Sequence, residues 1–178
     1  EGAIRYIDGL NFTEPKFVLV VMVMAASKPV VTLAESLINA LTRIVPIGEK
    51  YAFYVIALGI GPVLGSVITE PAAMTLLALI LKNRLFDRDV APRFAYASLG
   101  LLFVNISVGG VLTHFAAPPV LMVSAKWNWG LGFMFTHFGW RGLLSCLTGA
   151  VLMAVLFRKE IPKLAARAEK SDYIPWWL

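Results

Sequence analysis

Two long apolar stretches of this chain are interrupted in the middle, and each interruption carries an ionisable residue. The first stretch covers residues 51–86 and is broken around residues 61–71 by glycine and proline. The second covers residues 94–125 and is broken in the same way around residues 109–119. A helix needs about 20 residues to cross the hydrocarbon core of a bilayer, and both stretches are longer. Each therefore predicts either a broken, tilted span or a re-entrant hairpin beside a helix.

The rest of the chain has the same apolar character. Of its 178 residues, 58% are hydrophobic and 15% are charged, whereas a soluble domain of this size carries about a quarter charged residues. Two further apolar stretches cover residues 17–44 and 142–157, and neither alternates as the strands of a membrane barrel do. We predict an all-α, polytopic transmembrane protein, with residues 1–178 forming a single transmembrane domain whose main partner is the lipid bilayer.

The positive charges lie mostly in two short loops, at residues 82–93 and 158–170. If residues 94–125 and 142–157 both span, these loops lie on the same side of the membrane, and the positive-inside rule makes that side cytoplasmic. Tryptophans are enriched at membrane interfaces, and Trp127, Trp129 and Trp140 would lie at the opposite one. The net charge of +5 therefore indicates topology and not a nucleic-acid partner.

Enzymatic signatures are missing from the sequence. Cys146 is the single cysteine, and no Walker A loop, HExxH or G-x-S-x-G motif is present. We therefore expect no enzymatic activity, no cofactor and no resident metal. The chain begins with Glu1 and ends at Trp176-Trp177-Leu178, which is typical of the start of another span, so we expect a fragment of a longer protein.

The two interruptions resemble each other in sequence. Residues 65–73 align with residues 109–117 at an offset of 44 without a gap, and five of the nine positions are identical. Each copy places a threonine before an ionisable residue, as Thr69-Glu70 and Thr113-His114. Both threonines are candidate helix N-caps ahead of a proline.

A carboxylate inside a membrane is expensive and is a functional candidate by default. Glu70 could bind a cation, exchange a proton or cap its own helix. His114 could carry protons or be a packed core histidine. Asn105 and Ser107 could be neutral ligands or interhelical hydrogen-bond partners. The candidate ion- or substrate-binding residues are Ser66, Thr69, Glu70, Asn105, Ser107, Thr113 and His114.

Two further charged residues, Lys28 and Glu35, lie in the first apolar stretch. They are seven residues apart, so they share one helix face about 10 Å apart. Snorkelling to the interface explains Lys28 without a function. Glu35 is harder to explain in this way, although it could lie near an interface towards Arg43.

At residues 65–75 (GSVITEPAAMT) and 105–120 (NISVGGVLTHFAAPPV) the sequence resembles a bacterial family of proposed Na⁺/H⁺ antiporters. That family is similar to a branch of the ion transporter superfamily, with NhaD-type antiporters, arsenite permeases and dicarboxylate transporters. The resemblance implies a multi-pass inner-membrane protein with two inverted repeats. Each repeat would contribute a broken-helix or hairpin tip to a central ion site. This chain would hold one repeat, and the other would follow residue 178.

Three functions are therefore compared. The first is antiport of a monovalent cation, most simply Na⁺, against protons by alternating access. The second is ion-coupled transport of an anion or carboxylate, which a buried arginine near a tip would favour. The third is a membrane scaffold subunit, which has no need for Glu70 or His114 at membrane depth. Glu70 favours the first, because a fixed negative charge repels an anionic substrate. A homo-oligomer is compatible with all three.

Overall fold

The computed structural model describes residues 16, 19–20, 23–24, 27–86, 90–114 and 116–164. Parts of the predicted first span and of both basic loops, at residues 87–89 and 165–170, lie outside these residues, as do both chain ends. The helices described are α1 (Lys28–Ile44), α2 (Glu49–Ile68), α3 (Glu70–Leu81), α4 (Pro92–Leu112), α5 (Pro118–Trp127) and α6 (Leu131–Leu156). Among them α2, α4 and α6 are long and apolar enough to cross a bilayer.

The predicted stretch 51–86 forms a helical hairpin. Helix α2 ends at Ile68, Thr69 is non-helical, and α3 begins at Glu70. The return direction is set by close contacts: a Cβ at Gly61 would meet the side chain of Leu77, and one at Gly65 would meet Ala73. As the residue number rises from 61 to 65 on α2, the number of the contacting residue falls from 77 to 73 on α3. The two helices are therefore antiparallel. Thr69 and Glu70 therefore form the tip of the hairpin.

Helices α2 and α4 run parallel to each other. The hydroxyls of Tyr54 and Ser98 are 2.8 Å apart, and a Cβ at Gly109 would approach the backbone of Pro62. The separation between partners is thus 44 to 47 residues, close to the sequence offset between the two breaks. The internal similarity in the sequence therefore corresponds to two parallel helices, each ending in a break.

Helix α6 runs antiparallel to both of these helices. Gly59 of α2 packs against Ala150, and a Cβ at Gly142 would lie 3.0 Å from the carbonyl oxygen of Val108. Helix α6 begins at Leu131, well before the apolar stretch predicted at residues 142–157. Gly139 lies against Leu112, so about 12 Å of α6 extends beyond the end of α4. The breaks after α2 and α4 therefore lie inside the length of the bundle.

The described parts of the two basic loops lie at one end of the bundle, which we call the basic end. There the hydroxyl of Tyr51 donates to the carbonyl of Arg158 at 2.6 Å, and the amide of Ala91 donates to the carboxylate of Glu160 at 3.1 Å. This agrees with the prediction that both loops share a side. The opposite, aromatic end carries a cluster of rings in contact: Trp127, Trp129, Phe133 and Phe138.

One residue of the first basic loop departs from the prediction. A π-helical turn, Lys82–Phe86, extends α3, and it buries Arg84 to 1% exposure. The sequence interpretation assigned Arg84 to a solvated loop, because a local charge pattern does not show that partners on α1 and α2 surround the guanidinium.

Candidate functional site

The two breaks meet, and Ser66 is the residue that joins them. Its side chain is 1% exposed. Its hydroxyl donates to the carbonyl of Gly109 at 2.6 Å and accepts from the amide of Leu112 at 3.1 Å. In return the hydroxyl of Thr113 donates to the carbonyl of Ser66 at 2.7 Å. These bonds satisfy backbone groups that the helix ends leave open, so they fix the two breaks against each other.

The carboxylate of Glu70 lies at this junction. Its Oε1 accepts a hydrogen bond from the hydroxyl of Ser107 at 2.6 Å, a length typical of a charge-assisted bond. Its own amide donates to the carbonyl of Ala116 in the second break at 3.2 Å. Glu70 is half-buried, whereas Ser107 is exposed on α4. The carboxylate thus has its backbone anchored in the junction and part of its surface free.

Thr69 occupies the N-cap position of α3 but makes no capping hydrogen bond with its side chain. Its φ of 138° and ψ of 154° lie in a region that is almost restricted to glycine. Its Oγ1 is buried and, among the described residues, has no hydrogen-bond partner. The predicted capping role is therefore wrong, and a strained residue with an unused oxygen stands beside the carboxylate.

Thr113 does not cap a helix either. Residue Ala117 occupies the N-cap position of α5, and the hydroxyl of Thr113 is used for Ser66. The intervening residues keep Thr113 away from the first turn of α5. His114 is partly buried, and its carbonyl accepts from the hydroxyl of Ser124 at 3.3 Å. His114 thus lies in the same junction, two residues before the carbonyl that binds Glu70.

Asn105 holds three helices together. Its Nδ2 donates to the carbonyl of Leu58 at 2.7 Å and to that of Cys146 at 3.1 Å. In a regular α-helix the carbonyl of Leu58 would accept from the amide of residue 62, which is a proline without an N–H. Of the two roles that the sequence allowed, the geometry is that of an interhelical hydrogen-bond partner. In the sequence, only Pro62 points to this bond, and it lies 43 residues before Asn105.

Apolar packing surrounds the junction towards both ends. Towards the basic end, Ala73 and Leu77 are fully buried against α2. Towards the aromatic end there is an apolar cavity of about 300 Å³. Its lining residues are Val111, Pro119, Val120, Val123, Trp129, Met134 and Phe138. The polar side of the junction therefore opens laterally, beside Ser107.

Apart from the imidazole of His114, the donor atoms described at the junction are oxygens. Within the described ranges, no group of three or more His, Cys, Asp or Glu side chains is placed to hold a metal ion. One carboxylate with hydroxyl and carbonyl oxygens suits a hard monovalent cation or a proton. It does not suit tightly bound zinc, which takes nitrogen and sulfur ligands.

Comparison with known families adds an independent finding. A family model with the description "Putative Na+/H+ antiporter" matches residues 1–178. No curated protein matches the chain, and no solved structure does.

Proposed function

The chain belongs to the family described as "Putative Na+/H+ antiporter", and from that premise we propose that Glu70 alternately binds a monovalent cation and a proton. Na⁺ is the first candidate cation. The observation that carries the proposal is the position of Glu70, a half-buried carboxylate where two helix breaks meet. Broken helices are where secondary transporters bind their ions.

The chemistry of exchange needs one group that accepts either ligand. In this proposal the carboxylate of Glu70 is that group, and Thr69 Oγ1 and Ser107 Oγ complete its cation shell with neutral oxygens. Ser107 donates to Glu70, and its hydroxyl can instead turn a lone pair towards a cation. Ser66, Asn105 and Thr113 hold the backbone of the two breaks in position. His114, in the same junction, is proposed as a proton carrier.

Alternating access requires barriers that can open on either side of the site. The packed pair Ala73 and Leu77 is the proposed barrier towards the basic end. The apolar side chains that line the cavity are the proposed barrier towards the aromatic end. Dry apolar constrictions block ions because a cation would lose its hydration shell there. A second repeat after residue 178 is proposed to cover the lateral opening beside Ser107. A homo-oligomer is compatible with this arrangement.

An anion transporter is less well supported than a cation antiporter. An anionic substrate would favour a buried arginine or another positive side chain near the tip. Arg84 is buried, but it lies 14 residues after Glu70 on α3 and its π extension, which is about 21 Å along a helix. The charge at the tip is negative, so it favours a cation.

The test uses the full-length protein reconstituted in liposomes, with quenching of a pH-sensitive dye after addition of Na⁺, Li⁺ or K⁺. Glu70→Gln keeps the shape but loses the charge, and we expect exchange to fall by more than about tenfold. Glu49→Gln, an exposed glutamate at the start of α2, is the matched control and should exchange normally. Full exchange by a folded Glu70→Gln protein would overturn the proposal.

The orientation in the inner membrane is proposed from the basic end. Single cysteines at Lys159 and Lys163 should react with a membrane-impermeant reagent only from the cytoplasmic side. A cysteine at Trp127 should react only from the outside. Labelling of Lys159 and Trp127 positions from the same face would reject this topology.

A further inference from the structure

A second polar cluster lies between α1, α2 and α3, away from the junction. The guanidinium of Arg84 donates through Nη2 to Asn39 Oδ1 at 2.7 Å. Its carbon Cζ also lies 4.1 Å from the centre of the Phe53 ring, a cation–π geometry. Both partners are neutral. Two groups that do not change charge therefore contact the buried guanidinium.

Glu35 belongs to this cluster. It lies one helical turn before Asn39 on α1, its side chain is 9% exposed, and it interacts electrostatically with Arg84. The sequence alone left its role open between a functional group and an interface residue. Its burial shows that neighbouring helices cover the side chain.

The cluster is separate from the Glu70 junction. Arg84 and Glu70 are about 21 Å apart along α3 and its extension. The side chains of Ala73, Leu77 and Leu81 between them are at most 1% exposed. These three side chains carry no polar group, and we place Glu35 outside the proposed cation path.

We propose that Glu35 is a second proton-binding carboxyl, which takes up a proton but not a metal cation. A metal cation needs several free oxygens, and Asn39 Oδ1 is already used by Arg84. A proton instead bonds to one carboxylate oxygen and neutralises it.

Two features of the environment act on the protonation of Glu35 in opposite directions. Burial favours the protonated form of a carboxyl, and a nearby guanidinium favours the ionised form. The charged groups to consider are Arg84 from α3, and Lys28 and Arg43 of α1 itself, about two helical turns away. Helix α2 faces the cluster with Phe53. Since neither Asn39 nor Phe53 changes charge, both contacts to Arg84 remain available when Glu35 is protonated.

The role of this proton in transport rests on the proposed function, but its binding can be measured separately. The experiment records infrared difference spectra of the full-length protein in lipid, between mildly acidic and mildly alkaline buffer. We expect a band of a protonated carboxyl that disappears in Glu35→Gln and persists in Glu70→Gln. Glu49→Gln is the control and should keep it. Arg84→Gln should move the midpoint of the band to higher pH, and Arg84→Lys should move it less.

Each result decides the proposal. A band that depends on Glu35 establishes the proton site, even if Glu70→Gln exchanges normally and the antiport proposal fails. Identical spectra of wild-type and Glu35→Gln protein, with intact folding, would overturn the proposal and leave Glu35 as a static partner of Arg84. Loss of the band on addition of Na⁺ in Glu70→Gln protein would contradict the exclusion of metal cations.

Discussion

The hydroxyl of Ser66 donates a hydrogen bond of 2.6 Å to the carbonyl of Gly109, across the junction of two helix breaks. The bond links positions that are one residue out of register in the internal alignment, in which Gly65 corresponds to Gly109. A side chain of the first copy thus satisfies the backbone of the second. The two copies form one structural unit, and neither break is complete alone.

Removing this hydroxyl should destabilise the protein. Ser66→Ala leaves the carbonyl of Gly109 and the amide of Leu112 without the bonds that the serine supplies. Buried groups left unsatisfied cost about 1–3 kcal/mol, which should appear as a lower unfolding midpoint in detergent. Ser36→Ala is the control, because this exposed hydroxyl binds only its own helix. Equal midpoints for both variants would show that the junction tolerates water in place of the serine.

A second prediction concerns the glycine itself. Gly109→Ala would place a Cβ 2.8 Å from the backbone carbon and oxygen of Pro62. Backbone atoms cannot move as a flexible side chain does, so we expect α2 and α4 to separate at a cost of about 1–3 kcal/mol. Gly100→Ala on the same helix has open space around it and should be neutral or slightly stabilising. The difference between the two unfolding midpoints measures the cost of separating α2 and α4. A Gly109→Ala protein with the midpoint of the wild type would contradict the close contact between Gly109 and Pro62.

The basic end should lose stability in acid. The amide of Ala91, and then the ammonium of Lys163, hold the pKa of Glu160 below its ordinary value of 4.5. A carboxyl with a depressed pKa stabilises the folded state above its unfolded pKa, and this contribution is lost as the pH falls through the folded pKa. Glu160→Gln should therefore unfold at a lower temperature than wild type near neutral pH, and the difference should shrink below pH 4.5. A difference that stays constant down to strong acid would show that the carboxylate charge is irrelevant.

Much of the architecture follows from local sequence. Glycine and proline interrupt two stretches that are too long for one span, and the helices do end near Ser66 and Thr113, where backbone donors are lost. The side shared by the basic loops follows from their spacing. These features depend on neighbouring residues, which a sequence displays directly.

The partners of the polar side chains could not be predicted in the same way. Asn105 can donate to Leu58 only because α2 and α4 are parallel and bring the two residues side by side. Arg84 was interpreted as a loop residue because its partners, Asn39 and Phe53, are more than thirty residues away in sequence. Tertiary pairing decides both cases, and the apolar periodicity of a membrane helix does not specify it.

Substitution of Thr69 should affect stability and transport in opposite directions. Its buried Oγ1 has no partner among the described residues, and an unsatisfied buried hydroxyl costs free energy. Thr69→Val keeps the shape and the backbone preference of a β-branched residue but removes that oxygen. We therefore expect the variant to be more stable by about 1 kcal/mol.

If Oγ1 binds the transported cation, the same Thr69→Val variant should show a higher KM for Na⁺ in liposomes. Thr69→Ser keeps the hydroxyl and should retain the KM of the wild type. Strain and an unused oxygen at one residue are expected where function opposes stability. A more stable Thr69→Val protein with an unchanged KM would show that the oxygen is not a ligand and would leave Glu70 and Ser107 to bind the cation.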